Sequence, residues 1–246
     1  VDDFIEKILY EPEIGYYSSK DPFGKNGDFI TSPTISNLFS EIISIWLISA
    51  WEKMGKPKIF NFIELGPGDG SLTKVIINTV KKFPELNKAI NIHLYEKSVF
   101  LQKLQKQNIN NEYVKWIKNF NSIKKGPVIF FGNEFFDAIP IKQFSNINNE
   151  LSEKCYSVKN KTDVIEKFIR GSKKDRAQIK TFETLKKLKF IEFPKKGLIE
   201  LDPIIKKINK LSGGILLIDY GYLNSNNSNT IQAVMGNKKI SPETML

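Results

Sequence analysis

Ile59-Phe60-Asn61-Phe62-Ile63-Glu64-Leu65-Gly66-Pro67-Gly68-Asp69-Gly70 is the stretch that decides how this chain folds. Its apolar run reads as a buried strand that ends in an acid and enters a loop with glycine at every second position. From Ser71 to Phe83, apolar residues fall at Leu72, Val75, Ile76 and Val80, the spacing of one helix face. Strand, glycine loop and helix in that order form the ligand-binding corner of a doubly wound α/β sheet. Glycine lets the backbone turn tightly and approach a ligand closely, because no Cβ stands in the way.

The spacing departs from the G-x-G-x-x-G of dinucleotide loops, which bring a pyrophosphate to a helix N-terminus. Here the pattern is E-x-G-x-G-x-G, with the acid ahead of the first glycine. It resembles the first motif of the class I methyltransferases, whose ligand S-adenosylmethionine carries no phosphate. Any strand-to-helix turn can collect glycines, but the acid, the strand and the helix around this one favour a ligand loop.

Composition narrows the field. A chain of 246 residues suffices for one α/β domain with an appended segment. The single cysteine, Cys155, excludes an intramolecular disulfide and points to a reducing compartment. The single histidine, His93, lies in the apolar run Ile92-His93-Leu94-Tyr95 and is expected to pack in a strand. One histidine and one cysteine cannot assemble a zinc site of the usual kind, and nothing recommends a Ser-His-Asp triad, so no metal is expected. The longest apolar stretch, Ile42 to Trp51, is broken by serines and falls short of the ~20 residues that span a bilayer, so no membrane span is expected. The net charge of +10 comes from lysines scattered among asparagine and isoleucine. This pattern reads as solvated surface, whereas a nucleic-acid face more often clusters arginines with aromatics.

Four regions are expected. An N-terminal helical segment, 1–50, has helices at Asp3 to Leu9 and Ser36 to Trp51, with Ile35, Leu38, Phe39, Ile42, Ile45 and Trp46 on the inner side of the second. Between them, Gly15 to Pro33 mixes glycines, aromatics and polar residues as binding loops do. The sheet core, 51–144, places strands at Ile59 to Leu65, Ile90 to Tyr95, around Tyr113 to Ile117, and at Pro127 to Phe131, with helices at Ser71 to Phe83 and Phe100 to Gln107. The continuous apolar run at Pro127 to Phe131 marks a strand buried on both faces. Residues 145–211 read as a polar, lysine-rich inserted subdomain with weak strand signals near Leu151 to Val158 and a helix from Pro203 to Leu211. Residues 212–246 return to the core through Ile215 to Ile218, read as another buried strand, and Asn224 to Asn229 read as a mobile, low-complexity stretch.

Ligands of open α/β sheets bind outside the carboxyl ends of the strands. Four candidate strands end in functional residues: Glu64, Glu96, Asn133-Glu134 and Asp219. Glu96 follows the loop by about thirty residues, beyond the roughly twenty at which a second-strand acid takes the ribose hydroxyls, but the long first helix accommodates the difference. A carboxylate accepts hydrogen bonds from both hydroxyls of an adenosyl ribose. Asn133-Glu134-Phe135-Phe136 stands where many N-methyltransferases carry an N-P-P-Y-type tetrapeptide. Its amide and carboxylate would hold a nitrogen nucleophile in line with a methyl group. A guanidinium, protonated at neutral pH, needs carboxylates such as Glu134 or Asp137 to hold its fork and accept a proton late. The alternative role for these residues is local: Asn133 as a helix cap, with acids in the first turn.

Together, Leu9-Tyr10-Glu11-Pro12, Gly15-Tyr16-Tyr17, Phe23-Gly24, Gly27-Asp28-Phe29-Ile30-Thr31-Ser32-Pro33, Glu64 to Gly70, Asn133 to Pro140 and Ile218-Asp219-Tyr220-Gly221 resemble the MidA family. The blocks run in family order from Leu9 to Gly221, so the resemblance covers nearly the whole chain. It implies a Rossmann-like α/β class I methyltransferase that uses S-adenosylmethionine on a protein substrate. The mitochondrial members are complex I assembly factors, and for them it implies symmetric dimethylation of an arginine. By motif, Gly27, Asp28, Glu64, Gly66, Gly68, Gly70 and Glu96 would bind the cofactor, and Asn133, Glu134 and Asp137 would line the reaction site. The sequence departs from the family at Thr34, where glutamate is expected, and at Ser40, where glycine is expected. Its last residues, from Ser241-Pro242-Glu243, come ahead of the family's final block, so either the chain is trimmed or the terminal strand is missing and a sheet edge is left unpaired. Two other functions stay open: a non-catalytic assembly factor that keeps the fold, and a nucleic-acid N-methyltransferase. The expected location is the bacterial cytoplasm, with the mitochondrial matrix as the alternative.

Overall fold

A computed structural model describes residues 1–19, 36–148, 150–159, 163–221, 227–235 and 238–240. Gly27, Asp28 and Thr34 lie outside the described residues. From the amino end the described elements are α1 (Asp2–Tyr10), α2 (Tyr16–Ser19), α3 (Asn37–Lys53), β1 (Phe60–Leu65), α4 (Ser71–Val80), α5 (Pro84–Ala89), β2 (Ile90–Tyr95), α6 (Val99–Ile109), β3 (Lys115–Ile117) and β4 (Val128–Asn133). A smaller unit follows: β5 (Lys142–Ile147), β6 (Glu150–Lys159), β7 (Asp163–Arg170), α7 (Lys173–Ile179), α8 (Glu183–Lys186) and β8 (Phe190–Phe193). Helix α9 (Lys195–Leu211) leads into β9 (Gly213–Ile218), and β10 (Ala233–Met235) pairs with β11 (Lys238–Ile240).

The main sheet has the order β3-β2-β1-β4-β9, and each of its pairings is parallel. The fold is the expected α/β, Rossmann-like one, with its topological switch between β1 and β4. Parallel sheets are covered on both faces, so their strands are apolar throughout. Strand β1 obeys this along its whole length, since all six of its residues are buried. Its side chains alternate between two cores. Phe60 and Phe62 pack with Phe131 and with residues of α3 and α4, whereas Ile63 and Leu65 pack with Phe130 and with Ile204 of α9.

Helix α3 corrects the expected inner face. Leu38, Ile42 and Ile45 are 61%, 55% and 61% exposed, and the buried side is Ser40, Ile43, Ser44, Leu47, Ile48 and Trp51. Apolar residues occur all around this helix, so spacing alone did not single out one face. The buried face includes two small serines, and Ser44 Oγ donates to the Ser40 carbonyl at 2.7 Å. Ser40, the departure from the expected glycine, is fully buried there.

The segment expected to be a polar insertion holds two different things. Strands β5 to β8 form an antiparallel sheet in the order β7-β6-β5-β8 around a small core of Phe144, Ile179, Ile191 and Phe193. Charged side chains pair across its strands, buried Lys154 with Glu166 and exposed Arg170 with Glu150, which is why it reads as polar. Helix α9, by contrast, packs on β4 and β9 of the main sheet. It begins eight residues ahead of Pro203, where the helix was expected to start, and runs straight through it. The carbonyl of Ile199 that Pro203 leaves without a helical donor belongs to a residue 64% exposed, so water can satisfy it.

Two further expectations change. Strand β9 is the last strand of the described sheet rather than a buried one, and Leu217 and Ile218 are 39% and 36% exposed. The described part of the low-complexity stretch is anchored: Asn227 Oδ1 accepts from the Lys189 amide at 2.9 Å, and Asn229 Oδ1 from Gln143 Nε2 at 2.6 Å. Among the described residues, no helix is long and apolar enough to cross a membrane.

The approach of β9 to β4 depends on one glycine. Gly213 has φ +138°, and a Cβ there would lie 1.8 Å from the Val128 carbonyl oxygen, whereas one on Gly214 would meet nothing nearer than 3.9 Å. Gly213→Ala is expected to destabilise the protein by at least ~2 kcal/mol and Gly214→Ala by less than ~1 kcal/mol, read as urea midpoints at constant slope.

Candidate functional site

Register builds the site. Leu65 lies level with Tyr95 on one side and Gly132 on the other, and Gly132 lies level with Leu217. The next residue of each strand therefore reaches the same edge, and Gly66, Glu96 and Asn133 line up at the carboxyl ends of β1, β2 and β4. A cavity of about 850 Å³ opens there, bordered on its far side by α1 and α2. That volume is in the range of small-molecule sites.

Gly66, Gly68 and Gly70 have φ values of 59°, 56° and 85°. The first is the position that only glycine fits: besides its left-handed backbone, a Cβ would lie 2.9 Å from the ring of Phe135. Gly66 and Gly68 border the cavity, whereas Gly70 faces the Ile109 and Gln105 side chains of α6 and serves helix packing. Asp69 borders the cavity and is held within its own loop, accepting from the Ser71 amide at 2.9 Å and the Ser71 hydroxyl at 2.7 Å. At this loop the cavity meets backbone and an acid and, among the described residues, no basic side chain, which suits a ligand without phosphate.

Glu64 is buried, touches the cavity and accepts from the Thr73 hydroxyl. Burial pushes its carboxyl up to about 8. Glu96 is also buried, with Oε1 accepting from the Ser98 amide at 2.8 Å and Oε2 from Gln105 Nε2 at 3.2 Å. Burial raises its pKa against those hydrogen bonds. Gln105 was not among the expected site residues. Its side chain is fully buried, donates also to the Gly68 carbonyl at 2.8 Å and is oriented by Trp116 Nε1, which donates to its Oε1 at 2.8 Å. One side chain thus ties the glycine loop to the strand-end acid. The available signal was a polar residue at apolar spacing, since Leu101, Gln105 and Ile109 form the buried stripe of α6.

Asn133, Glu134 and Asp137 come together as expected on the opposite wall. Asn133 Oδ1 is buried with no hydrogen-bond partner among the described residues. Glu134 has φ 51° although it is not glycine, and its amide donates to the Ile218 carbonyl at 2.8 Å. Such strain persists where surrounding structure over-determines it, and it clusters at functional sites. Asp219, the fourth strand-end acid, acts on the loop: its Oδ2 accepts from the amides of Phe136 at 3.0 Å and Asp137 at 3.2 Å. Burial, then Asp219 and Glu134, push the Asp137 carboxyl up to about 6. Burial and Asp219 raise Glu134 as well.

Tyr10 and Tyr17, from α1 and α2, close the far side, with ring centroids 5.6 Å apart. Burial and then neighbouring charges, Asp137 and Glu96 among them, hold both phenols above their ordinary range, so they stay protonated and can donate into the cavity. Ser98 Oγ donates to the Tyr17 carbonyl at 2.6 Å and joins α2 to the start of α6. The cavity as a whole is acidic. Among the described residues, Glu64, Asp69, Glu96, Glu134, Asp137 and Glu192 border it, against the single cation Lys97, in a chain of net charge +10. His93 lies apart in β2, and burial followed by Lys115 lowers its pKa to about 4.

Comparison with known proteins gives three findings. A family model described as "Putative S-adenosyl-L-methionine-dependent methyltransferase" matches residues 42–244. The mitochondrial protein arginine methyltransferase NDUFAF7 of Xenopus laevis is 27% identical over 247 residues, covering 91% of this chain and 56% of its own. The human protein of that name is 33% identical over 168 residues, covering 58% of this chain and 38% of its own. A crystal structure of a Burkholderia thailandensis protein bound to S-adenosyl-homocysteine superposes with a TM-score of 0.73 at 19% identity, covering 90% of this chain and 58% of that one. This likeness establishes the fold. The chain spans little more than half the length of the frog relative.

The raised carboxyl of Glu64 sets a pH dependence of stability. Above about pH 7 His93 is largely neutral, folded and unfolded, and Asp137 has passed its folded value of about 6. Between there and pH 8 the folded state keeps a proton on Glu64 that the unfolded state has lost, so stability falls as pH rises. Urea unfolding should show a loss approaching ~1.4 kcal/mol per pH unit in the wild type. In Glu64→Gln most of that slope should vanish; any remainder would come from Glu96 and Glu134, which are shifted in the same sense.

Proposed function

The chain belongs to the MidA-like family of S-adenosyl-L-methionine-dependent methyltransferases, whose model spans residues 42–244, and from that premise we propose that it methylates arginine side chains of a protein. The observation that carries the substrate half of this reading is the acidic cavity in a basic chain, with Asn133, Glu134 and Asp137 on one wall. A guanidinium is the side-chain cation that stays charged at all working pH values and presents a planar fork to carboxylates.

The residues fit the cofactor. Gly66 and Gly68 offer close backbone approach, and Glu96 suits a pair of ribose hydroxyls with its remaining acceptor sites. Carboxylates without a basic cluster favour a cation over a phosphate. When bound, S-adenosylmethionine supplies a methyl group on a positively charged sulfur. Glu134 and Asp137 would grip the guanidinium, and the orphan Asn133 Oδ1 would accept one of its N–H groups. The ring of Phe135, against the glycine loop, would keep water from the transfer path. The nitrogen that gains the methyl loses a proton. Asp137, titrating near 6, is ionised at pH 7 yet close enough to it to take that proton. Complex I assembly follows only from the resemblance of the motifs. It and the mitochondrial location of the relatives are extensions of this reading.

Calorimetry with S-adenosylmethionine and methyl transfer to arginine peptides separate the two halves. Glu96→Ala should weaken cofactor binding by about 1–3 kcal/mol, the cost of unpaired buried partners. Asp137→Asn should leave that binding within about twofold and lower turnover by a hundredfold or more, the usual share of a proton acceptor. Wild-type turnover should rise with pH through about 6, as Asp137 ionises. Retained turnover in Asp137→Asn with an unchanged pH profile would exclude the proposed proton acceptor.

A further inference from the structure

The aromatic wall beside β2 has a second side. Tyr95 borders both the acidic cavity and a smaller cleft of about 280 Å³. Its ring lies 6.4 Å from that of Phe135, which faces the cavity, and 5.1 Å from that of Phe120, which faces the cleft. Its hydroxyl donates to Glu200 Oε2 at 2.8 Å, and Lys97 holds the other oxygen of that carboxylate at 2.6 Å. The ring is thus fixed as a partition.

The two hollows have opposite charge. Lys118, Lys206, Lys207 and Lys210 border the cleft, and no carboxylate does. Lys206 pairs with Asp202, and Lys207 donates to the Ile123 carbonyl at 2.9 Å. Lys118 and Lys210 are exposed and have no ion-pair partner among the described residues. Burial, followed by Lys210, holds the Lys207 ammonium below its usual pKa. Helix α9 does not need these charges to pack, because its contact with the sheet is made by Ile204, Ile208 and Leu211. Like charges gathered round one hollow repel one another, and an arriving anion would relieve that repulsion.

We propose that the cleft docks acidic side chains of the protein being methylated, next to the cation that enters the cavity. This rests on the protein-substrate reading above. One aromatic side chain separates the hollows, a span that roughly two to four residues of extended chain cover. A nucleic acid fits less well. Its phosphates would meet the acidic wall of Glu134 and Asp137 in the neighbouring cavity, and the cleft's rings are packed on Phe135 and Phe130 rather than open for stacking.

Fluorescence polarisation of the intact chain with S-adenosyl-homocysteine present tests this, using labelled peptides with one arginine flanked by glutamates, serines or lysines. At low salt the glutamate peptide should bind roughly three- to thirtyfold tighter than the serine peptide. Lys118→Glu with Lys210→Glu should erase that preference while leaving the serine peptide and S-adenosyl-homocysteine unaffected. If the double reversal unfolds the chain, Lys118→Gln with Lys210→Gln gives the same comparison at smaller amplitude. Equal binding of the three peptides, or a preference that survives the double substitution, overturns the proposal. So does an oligothymidylate that outcompetes the glutamate peptide and loses its hold in the double variant. Failure of the wild type to bind S-adenosyl-homocysteine would count against the methyltransferase reading instead, because the peptide preference is read independently of it.

Discussion

The site depends on the pairing of β1 with a parallel strand on each side. Its six residues are buried, and its backbone is shared between β2 and β4 in one register. Because strands rise by a fixed ~3.3 Å per residue, that register brings the ends of three strands to one line without further specification. Glu96 and Asn133 face each other across the glycine loop because Leu65, Tyr95 and Gly132 are level. A slip of one residue would turn Glu64 from the face it shares with Thr73 to the opposite core, and would move both walls of the cavity relative to each other.

What holds these ends in place is a second layer of polar groups. Gln105 joins the loop carbonyl to the Glu96 carboxylate, and Asp219 accepts from the Phe136 and Asp137 amides. Gln105 acts from inside the protein and Asp219 from an exposed position at the end of β9. Removing water from so many carboxylates is unfavourable, and the raised pKa values of Glu64, Glu96, Glu134 and Asp137 express that penalty. A bound cation would recover part of it, so the field that makes the empty cavity costly also makes it selective.

The parts that were legible in the sequence are those written locally. β1, its glycine loop, Glu96 and the Asn133-Glu134 corner each follow from a strand pattern and the residue that ends it. The inner face of α3 was not legible, because Leu38, Ile42 and Ile45 look as buriable as Ile43, Leu47 and Ile48, and the buried face also holds the polar Ser40 and Ser44. The small sheet was muted for a related reason: four residues make its core, and cross-strand charge pairs fill the rest. The work of Gln105 and Asp219 became visible only with the fold, since each acts on backbone brought near by topology.

Strand β9 gives the site a dependence that its own residues do not reveal. Asp219 follows β9 directly, and the Ile218 carbonyl accepts the amide of the strained Glu134. Both contacts require β9 to stay on β4, and among the described residues β4 is the strand that β9 pairs with. Elements with few buried contacts open at lower free energy than core strands, and Leu217 and Ile218 of β9 are exposed. The glycine loop and Glu96, which follow β1 and β2, do not share that exposure. Conditions that loosen β9 should therefore disturb the Glu134 and Asp137 wall before they disturb the glycine loop, and substrate-side chemistry should fail while the cofactor side still holds.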